Sequence, residues 1–365
     1  MMDLSNFFQP KDIAAEWTEV QSNRIPYLGE GFFPAQKKAG LDLSMIRGHK
    51  GLPVSLMPTA FDTKSTFRDR EGFERIVTEM PFFRQGFRIG ERDRQDLIRI
   101  QEAADPYIKD IISRIFDDAN NLIEGAMVVP ERMRMGLLFP ENGAPGFSFR
   151  ANNVVYDYNY DPNGTWTATN YKQLSSTTAW QVAGNGGAVS PGSKADPFKD
   201  FKEAKNIVLS ETGTELRYAI MNSTTFDALA GLDAVKDRFL TVTGRSVGYI
   251  LDSDVKQIVQ DSSGLNIIVY DKVYRDESKV SNKFVPDGFV SCIPDGSLGR
   301  TWYGTTPEEA DLMGKPDAKV SLVGPGIALK YTHTDDPVND HIFASEIVMP
   351  SFERMDECVL MKVFA

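Results

Sequence analysis

The sequence predicts an α+β fold, and three patterns support this class. An amphipathic helix follows Asp105 and Pro106, where apolar residues recur at spacings of three and four positions. Short strands and helices alternate between Leu216 and Ile293 with short connections, as in a mixed core. Strand character returns at residues 357–365, and a terminal strand is normally tied into a sheet. A chain of 365 residues is long enough for two or more cores.

The first 50 residues have the composition of an arm. Pro10 precedes a short predicted helix, Lys11 to Val20, which places Ile13 and Trp17 on one face. The segment from Ile25 to Pro34 is aromatic, rich in Gly and Pro and without periodicity, so it cannot bury itself. We therefore expect residues 1–50 to lie along another surface, with contacts through Trp17, Phe32 and Phe33.

Residues 51–88 predict a long two-stranded arm. Leu52, Val54 and Leu56 alternate as in a half-buried strand, and Arg75 to Met80 predicts the returning strand. Because an isolated hairpin is marginally stable in water, this arm must rest on its own chain or on a neighbouring copy. An ordinary surface hairpin or long loop is the alternative. Charged and aromatic residues are mixed at the tip, which comprises Phe61, Asp62, Lys64, Phe67, Arg68, Asp69, Arg70, Glu71, Phe73, Glu74 and Arg75.

The helix after the arm is the longest predicted element. Asp105 supplies an N-cap and Pro106 suits the first helical position, and the apolar stripe continues to Ile123 over about five turns. Residues 92–104 and 130–138 extend the helical pattern, with breaks expected at the prolines.

Strands are predicted next, at residues 147–149 and 154–160, with a turn at residues 161–164. Residues 165–167 are expected to form the answering strand. Tyr156, Tyr158 and Tyr160 share one face of their strand, a pattern more typical of sheet packing than of a ligand platform. Residues 183–195 predict a loop and a boundary.

The second half of the chain predicts a core of its own. Asp196 and Pro197 open a capped helix. The later elements are strands at 216–221, 265–270, 289–293, 341–350 and 357–365, and helices at 223–229, 233–240 and 254–259.

Composition excludes several functional classes. The net charge is -11 and the pI about 5.0, which argues against a nucleic-acid-binding surface, because neutralising phosphates requires clustered Lys and Arg. No signal peptide and no apolar run of transmembrane length is recognised, so we expect a protein that is made in the cytoplasm and stays soluble. Two cysteines, Cys292 and Cys358, favour a reducing compartment.

Catalytic equipment is sparse. His333 and His341 flank acidic residues at a spacing that matches no metal template, so a solvated polar loop is expected there. No phosphate-binding glycine loop and no nucleophile elbow occurs. Cys292 is predicted to be a small buried apolar residue, and the Glu308-Glu309 pair is too common a pattern to indicate a site. No catalytic residue, cofactor or metal ion is therefore predicted.

The order of these parts resembles the tailed-phage capsid fold typified by phage Hong Kong 97. More specifically, the sequence is similar to the major capsid protein E family typified by phage lambda. The resemblance extends over nearly the whole chain through short motifs in a shared order. These motifs are Phe33-Pro34, Gly51-Leu52-Pro53-Val54, residues 79–83, Met133-Arg134-Met135, residues 266–270, residues 283–288, residues 299–304, Asp336-Pro337 and residues 351–357.

The resemblance implies a division into five parts. Residues 1–50 would form an N-terminal arm, 51–88 an extended E-loop, and 89–205 a peripheral P-domain with a long spine helix. Residues 206–329 would form an axial A-domain, and 330–365 would return to the P-domain. The tip of the E-loop, from Phe61 to Arg75, would contact a neighbouring subunit. Lys64 is expected to be a solvated charge, because no Asn and Glu partners for a covalent crosslink are identified.

The same resemblance implies a function. Copies of the chain would form pentamers and hexamers of an icosahedral head that encloses double-stranded phage DNA without binding it specifically. A separate scaffolding protein, a portal and an optional decoration protein would be its other partners. The protein would be made in the cytoplasm of a bacterial host and reside in the virion capsid. The alternatives are an encapsulin-like compartment with the same fold, an α+β enzyme with an unrecognised site, and a ligand-binding module.

Overall fold

The computed structural model describes residues 11, 13, 26–47, 74–89, 95, 107–141, 143–151, 154–183, 189–243, 250–314, 319–335 and 338–365. Their contacts group into two units, each assembled from separate stretches of chain. The first unit draws on Met1–Ser44, Val77–Met133 and Arg300–Ser351. The second unit draws on Met45–Ile76, Arg134–Gly299 and Phe352–Ala365.

The first unit is organised around β18, a strand of 14 residues from Val338 to Ser351. Its first part pairs antiparallel with β4 on one side and β17 on the other, and its last four residues pair with β15. β1 extends the sheet beside β15 as a parallel edge strand, and β16 lies outside β17. The other strands of this sheet are β1 (Ala35–Lys37), β4 (Phe82–Ile89), β15 (Arg300–Tyr303), β16 (Val320–Val323) and β17 (Ile327–Asp335).

The apolar core of the first unit lies between this sheet and one helix. Ala119 and Ile123 of the helix pack with Leu329 and Ile342 of the sheet. Ile13, which is helical, joins this cluster and is 1% exposed, as expected for the apolar face of the predicted N-terminal helix. Two further helices belong to the unit, α1 (Gly29–Phe32) and α8 (Pro307–Gly314).

The long predicted helix is α2, a single element of 32 residues from Tyr107 to Leu138. The predicted break at Pro130 is wrong, since this proline lies inside the helix. A proline removes one backbone hydrogen bond from a helix. Pro130 and its neighbour Glu131 are buried, and packing of this kind outweighs the local cost.

The second unit is built on a five-stranded sheet with helices packed against one face. β10 and β11 are parallel, β14 runs antiparallel to both β10 and β19, and β7 is parallel to β19. The strands in spatial order are β11 (Asn266–Val269), β10 (Leu216–Met221), β14 (Phe289–Pro294), β19 (Val359–Lys362) and β7 (Tyr171–Gln173). The helices are α4 (Pro197–Thr212), α5 (Ser223–Ala230), α6 (Asp233–Thr243) and α7 (Asp252–Ser263).

Local sequence signals place these elements where the patterns predict them. Asp196 caps α4 by accepting hydrogen bonds from the backbone of Phe198 and Lys199, and Gly213 closes the helix in a left-handed conformation with φ of 71°. The predicted strand at 216–221 has the predicted bounds. Side chains of the sheet and the helices form one cluster around Phe201, which is fully buried.

Two predictions about the second unit are wrong. Residues 165–167 were expected to form a strand, but they begin a helix, α3 (Thr165–Asn170). The predicted loop at 183–195 contains a short strand pair, β8 (Val182–Ala183) with β9 (Val189–Ser190).

The predicted strands on either side of residues 152 and 153 are confirmed as the hairpin β5 (Gly146–Ala151) with β6 (Val154–Asn159). A further hairpin, β12 (Val273–Arg275) with β13 (Ser281–Lys283), was not predicted.

The returning strand of the predicted arm is present as β3 (Glu74–Glu79). It pairs with β2 (Asp42–Arg47), which the sequence reading placed in the N-terminal arm. The predicted outgoing strand at residues 51–58 lies outside the described residues.

Candidate assembly surfaces

The predicted tip of the arm falls mostly outside the part of the chain that the structure describes. This applies to Phe61, Asp62, Lys64, Phe67, Arg68, Asp69, Arg70, Glu71 and Phe73. Glu74 and Arg75 are described by their backbone, which opens β3. Contacts of the tip with another subunit therefore remain a prediction.

The base of the arm is attached to the first unit. The backbone amide of Met80 donates to the carbonyl of Leu41 at 2.9 Å. Met80 is 2% exposed, and Pro81 beside it is also buried. β4 then begins at Phe82 and pairs with β18 at eight consecutive positions. The chain that leaves the arm therefore enters the central strand pair of the sheet directly.

The predicted N-terminal contact residues have different environments. Trp17 lies outside the described residues, and Phe32 is partly exposed in α1. Phe33 is completely buried within its own chain, and its carbonyl accepts a hydrogen bond from Thr301 Oγ1 at 2.9 Å. The contact that Phe33 makes is therefore with its own unit. The reason is that β1 pairs with β15 two residues later and draws Phe33 into the unit.

The acidic pair Glu308-Glu309, whose pattern is too common to indicate a site, has a defined role in the first unit. Glu308 and Glu309 are 3% and 6% exposed at the start of α8. Glu308 accepts from Ser345 Oγ at 2.7 Å and lies 3.2 Å from Arg84 Nε. Lys37 Nζ lies 2.5 Å from Glu309 Oε2, which ties the edge strand β1 to the helix.

A sequence signal for this arrangement exists. Thr306 precedes a proline and two glutamates, a pattern typical of a helix N-terminus, and its hydroxyl caps the backbone amide of Glu309 at 3.2 Å. Negative charge is favoured in the first turn of a helix. The pair is therefore explained by fold stability, since every described contact of these two carboxylates lies within the first unit.

The histidines at 333 and 341 lie in strands, and the expected solvated loop is wrong for them. His333 Nδ1 is 2.7 Å from Asp340 Oδ1, and the hydroxyl of Tyr331 donates to the same oxygen at 2.6 Å. His341 stacks on Phe343 with ring centroids 5.7 Å apart. No group of three or more His, Cys, Asp or Glu among the described residues has a geometry suited to a metal ion.

The two cysteines are buried and not disulfide-bonded to each other. Burial raises the pKa of the Cys292 thiol to about 12 and also raises the pKa of Cys358. A thiol in this environment is protonated at neutral pH and is a poor nucleophile. The prediction that Cys292 is a small buried apolar residue is confirmed.

The described helices include none that is both long enough and apolar enough to cross a bilayer. The described parts of the chain thus contain the base of the arm, a charged network and two packed cores. The arrangement provides no candidate reaction centre there.

Comparison with known proteins identifies the family of this chain. The sequence matches the family model described as phage major capsid protein E over residues 10–363. The chain belongs to this family. Members of this capsid protein E family are structural proteins that form oligomeric shells, so the chain is a shell protein of the virion and not an enzyme.

Solved structures support the fold of this capsid protein. The proposed capsid protein of a prophage in E.coli CFT073 is similar at a TM-score of 0.56 and 12% identity, over 98% of this chain and 99% of that chain. A phage-related protein from Bordetella bronchiseptica RB50 is similar at a TM-score of 0.54 and 11% identity, over 97% and 96%. The predicted Hong Kong 97-like fold is confirmed. No curated protein sequence is significantly similar to this chain.

Proposed function

We propose that this capsid protein builds an icosahedral head around double-stranded phage DNA by laying the tip of its arm, residues 61–75, on a neighbouring copy. The tip, from Phe61 to Arg75, mixes charges of both signs with aromatic rings, a composition suited to a contact with another surface. Such a contact joins unlike patches on two copies and closes into rings when the rotation permits. Pentamers and hexamers would use the same pairing at different angles.

The observation that carries this proposal is the attachment of the arm. β3 is followed within three residues by β4, which pairs along β18 at the centre of the first sheet. A two-stranded arm cannot stabilise itself in water and needs both a rigid base and an external surface. The buried pair Met80 and Pro81 supplies the base, and we propose that a second copy supplies the surface.

We propose a modified five-part division of the chain. Residues 1–50 keep the role of arm, and the pairing of residues 82–88 with β18 supports an E-loop that ends near residue 81. Residues 89–133, with most of the spine helix, keep the role of peripheral part, whereas residues 134–205 contribute β7 to the second sheet and group with the second unit, which supports assigning them to the axial part. The strands within residues 300–329 belong to the sheet of β18 and not to the second sheet, which supports an axial part that ends near residue 299. β19 completes the second sheet, which supports assigning residues 352–365 to it.

The other proposed partners follow from the same reading. A separate scaffolding protein would guide assembly, a portal would occupy one vertex, and an optional decoration protein would bind outside. The net charge of -11 supports an inner wall that does not grip the packaged DNA. The chain would be made in the cytoplasm of a bacterial host.

Deletion of the tip tests the arm. We expect that replacing residues 61–74 by a short Gly-Ser linker leaves a folded monomer that forms no shells, because the contact between copies is lost. Negative-stain microscopy and sedimentation would measure assembly, and circular dichroism would measure folding. Shells of normal yield from the deleted chain would rule out the arm as the contact.

A milder pair of variants provides the matched control. Arg68→Ala with Arg70→Ala removes two positive charges from the tip and is expected to reduce shell yield. Lys199→Ala with Lys236→Ala removes two positive charges whose side chains are 72% and 48% exposed on α4 and α6. Equal loss of assembly in both double variants would attribute the effect to net charge and not to the arm.

A further inference from the structure

We infer that the exposed face of the β12–β13 hairpin binds the segment Leu251-Asp252 of a second copy of this chain. The inference rests on the proposed function, since it names a second contact between copies in the shell. It concerns the second unit only and does not involve the arm.

The hairpin has one face turned to its own chain and one face turned to solvent. Cross-strand pairs join Val273 with Lys283 and Arg275 with Ser281, and all four residues are exposed. Val273 has 55% of its surface exposed. Tyr274, on the opposite face, packs on Phe284 with ring centroids 4.7 Å apart. The solvent face therefore combines an uncovered aliphatic side chain with the positive charge of Arg275, whereas Lys283 on the same face is paired with Asp287 at 2.7 Å.

The hairpin is held in one conformation by its turn. The carboxylate of Asp276 accepts hydrogen bonds from the backbone amides of Ser278 and Val280 and from the side chain of Asn282, at 2.8–3.0 Å. Lys279 adopts φ of 63°, a conformation that costs energy for a residue with a side chain. These bonds fix the turn, so the exposed face of the hairpin keeps one geometry and can meet a second copy without a large ordering cost.

A complementary patch lies at the start of α7. Leu251 is 60% exposed, and Asp252 beside it is exposed as well. Asp254 adds a second carboxylate in the same first turn. This patch presents Leu251 beside carboxylates, whereas the hairpin face presents Val273 beside the guanidinium of Arg275. Opposite charges around apolar contacts favour association and fix its register.

Both patches lie at the same end of the second unit. β10 and β11 are parallel, and α7 leads into β11 through the left-handed turn at Gly264. The start of α7 therefore lies toward the end of β11, and β12 follows β11 after three residues. In a ring of identical copies, two patches that meet must lie at the same position along the rotation axis and at the same distance from it. Two different patches at one end of the unit can satisfy this condition.

Charge reversal tests the pairing. We expect Arg275→Glu and Asp252→Arg each to lower shell yield by about tenfold or more, because like charges then face each other, and the double variant to restore it to within about twofold. Arg217→Glu is the matched control, since this exposed arginine sits near the opposite end of β10. Thermal melting of each purified chain would confirm that the variants fold.

Crosslinking provides an independent measurement. Val273→Cys combined with Leu251→Cys should form disulfides between copies in assembled shells, giving a ladder of multimers on a non-reducing gel. The native cysteines do not interfere, because both are buried. A crosslinked band at monomer size would show that the two positions meet within one chain, and this would overturn the inference.

The outcomes separate this inference from the proposed function. If the unaltered chain forms shells and all single reversals assemble equally well, the hairpin contact is refuted and the capsid function stands. If the single reversals fail and the double variant does not recover, the pairing with Leu251-Asp252 is refuted. If the unaltered chain forms no shells with its scaffold, the proposed function itself fails.

Discussion

Asp161 shows how one side chain overrides the local preference of the residues that follow it. The sequence around Trp166 is β-prone, yet Asp161 accepts hydrogen bonds from the backbone amides of Trp166 at 3.1 Å and Thr167 at 2.8 Å. These donors are amides at a helix start, so the chain turns into α3. Burial alone would raise the pKa of the Asp161 carboxyl, but these hydrogen bonds and those from Thr165 and Thr167 hydroxyls lower it overall.

We expect Asp161→Ala to destabilise the second unit by about 1–2 kcal/mol, because the amides of α3 lose their acceptor. Asp161→Asn is the matched control, since Asn caps helices about as well as Asp. The carboxylate contribution is present above the unfolded pKa of about 3.9 and is lost as the pH falls through the lower folded pKa. Thermal melts between neutral and acid pH would measure this. Equal melting of the Ala variant and the parent would contradict it.

The cysteines provide a second prediction at this scale. We expect neither Cys292 nor Cys358 to react with a chromogenic thiol reagent in the folded protein, because burial raises both thiol pKa values. After unfolding in urea, two thiols per chain should react. Fast labelling of either residue under native conditions would show that the core of the second unit opens readily.

Two glycines in α2 differ in the space around them, and their replacement by alanine tests the packing of this helix. A Cβ added at Gly125 meets no atom within 4 Å, whereas at Gly136 it meets the carbonyl oxygen of Gly146 at 2.7 Å. We expect Gly125→Ala to stabilise the helix by about 0.5–1 kcal/mol. Gly136→Ala should destabilise by about 1–3 kcal/mol, because β5 must shift. Denaturant midpoints would measure both, and effects of the same sign would contradict the described packing.

Elements with strong local signals were predictable from the sequence. α4 has an aspartate cap, a proline at its first position and a glycine after its end, and it begins as predicted. Elements whose structure or contacts depend on residues distant in the sequence could not be predicted in this way. Glu308 and Glu309 form a pair too common to indicate a site, and only the pairing of β1, β4 and β18 brings Lys37, Arg84 and Ser345 to them. The continuity of α2 through Pro130 likewise depends on packing that no local pattern encodes.

At the scale of the whole molecule, the net charge determines whether the chain binds DNA. We expect the free chain, with a net charge of -11, to show no measurable binding to double-stranded DNA at about 0.15 M salt. Fluorescence anisotropy of a labelled duplex would test this, with a basic DNA-binding protein as the positive control. Salt-dependent binding in the micromolar range would show that a local basic surface outweighs the net charge.

The position of β19 has a consequence for how this protein is made. This strand lies between β14 and β7 in the second sheet, and it is formed by residues 359–362. A ribosome must therefore translate past residue 362 before the sheet can close, however early the preceding helices form. Chains that stop before residue 359 would leave β14 paired with β10 alone, so we expect prematurely terminated products to fold incompletely and to enter the head poorly.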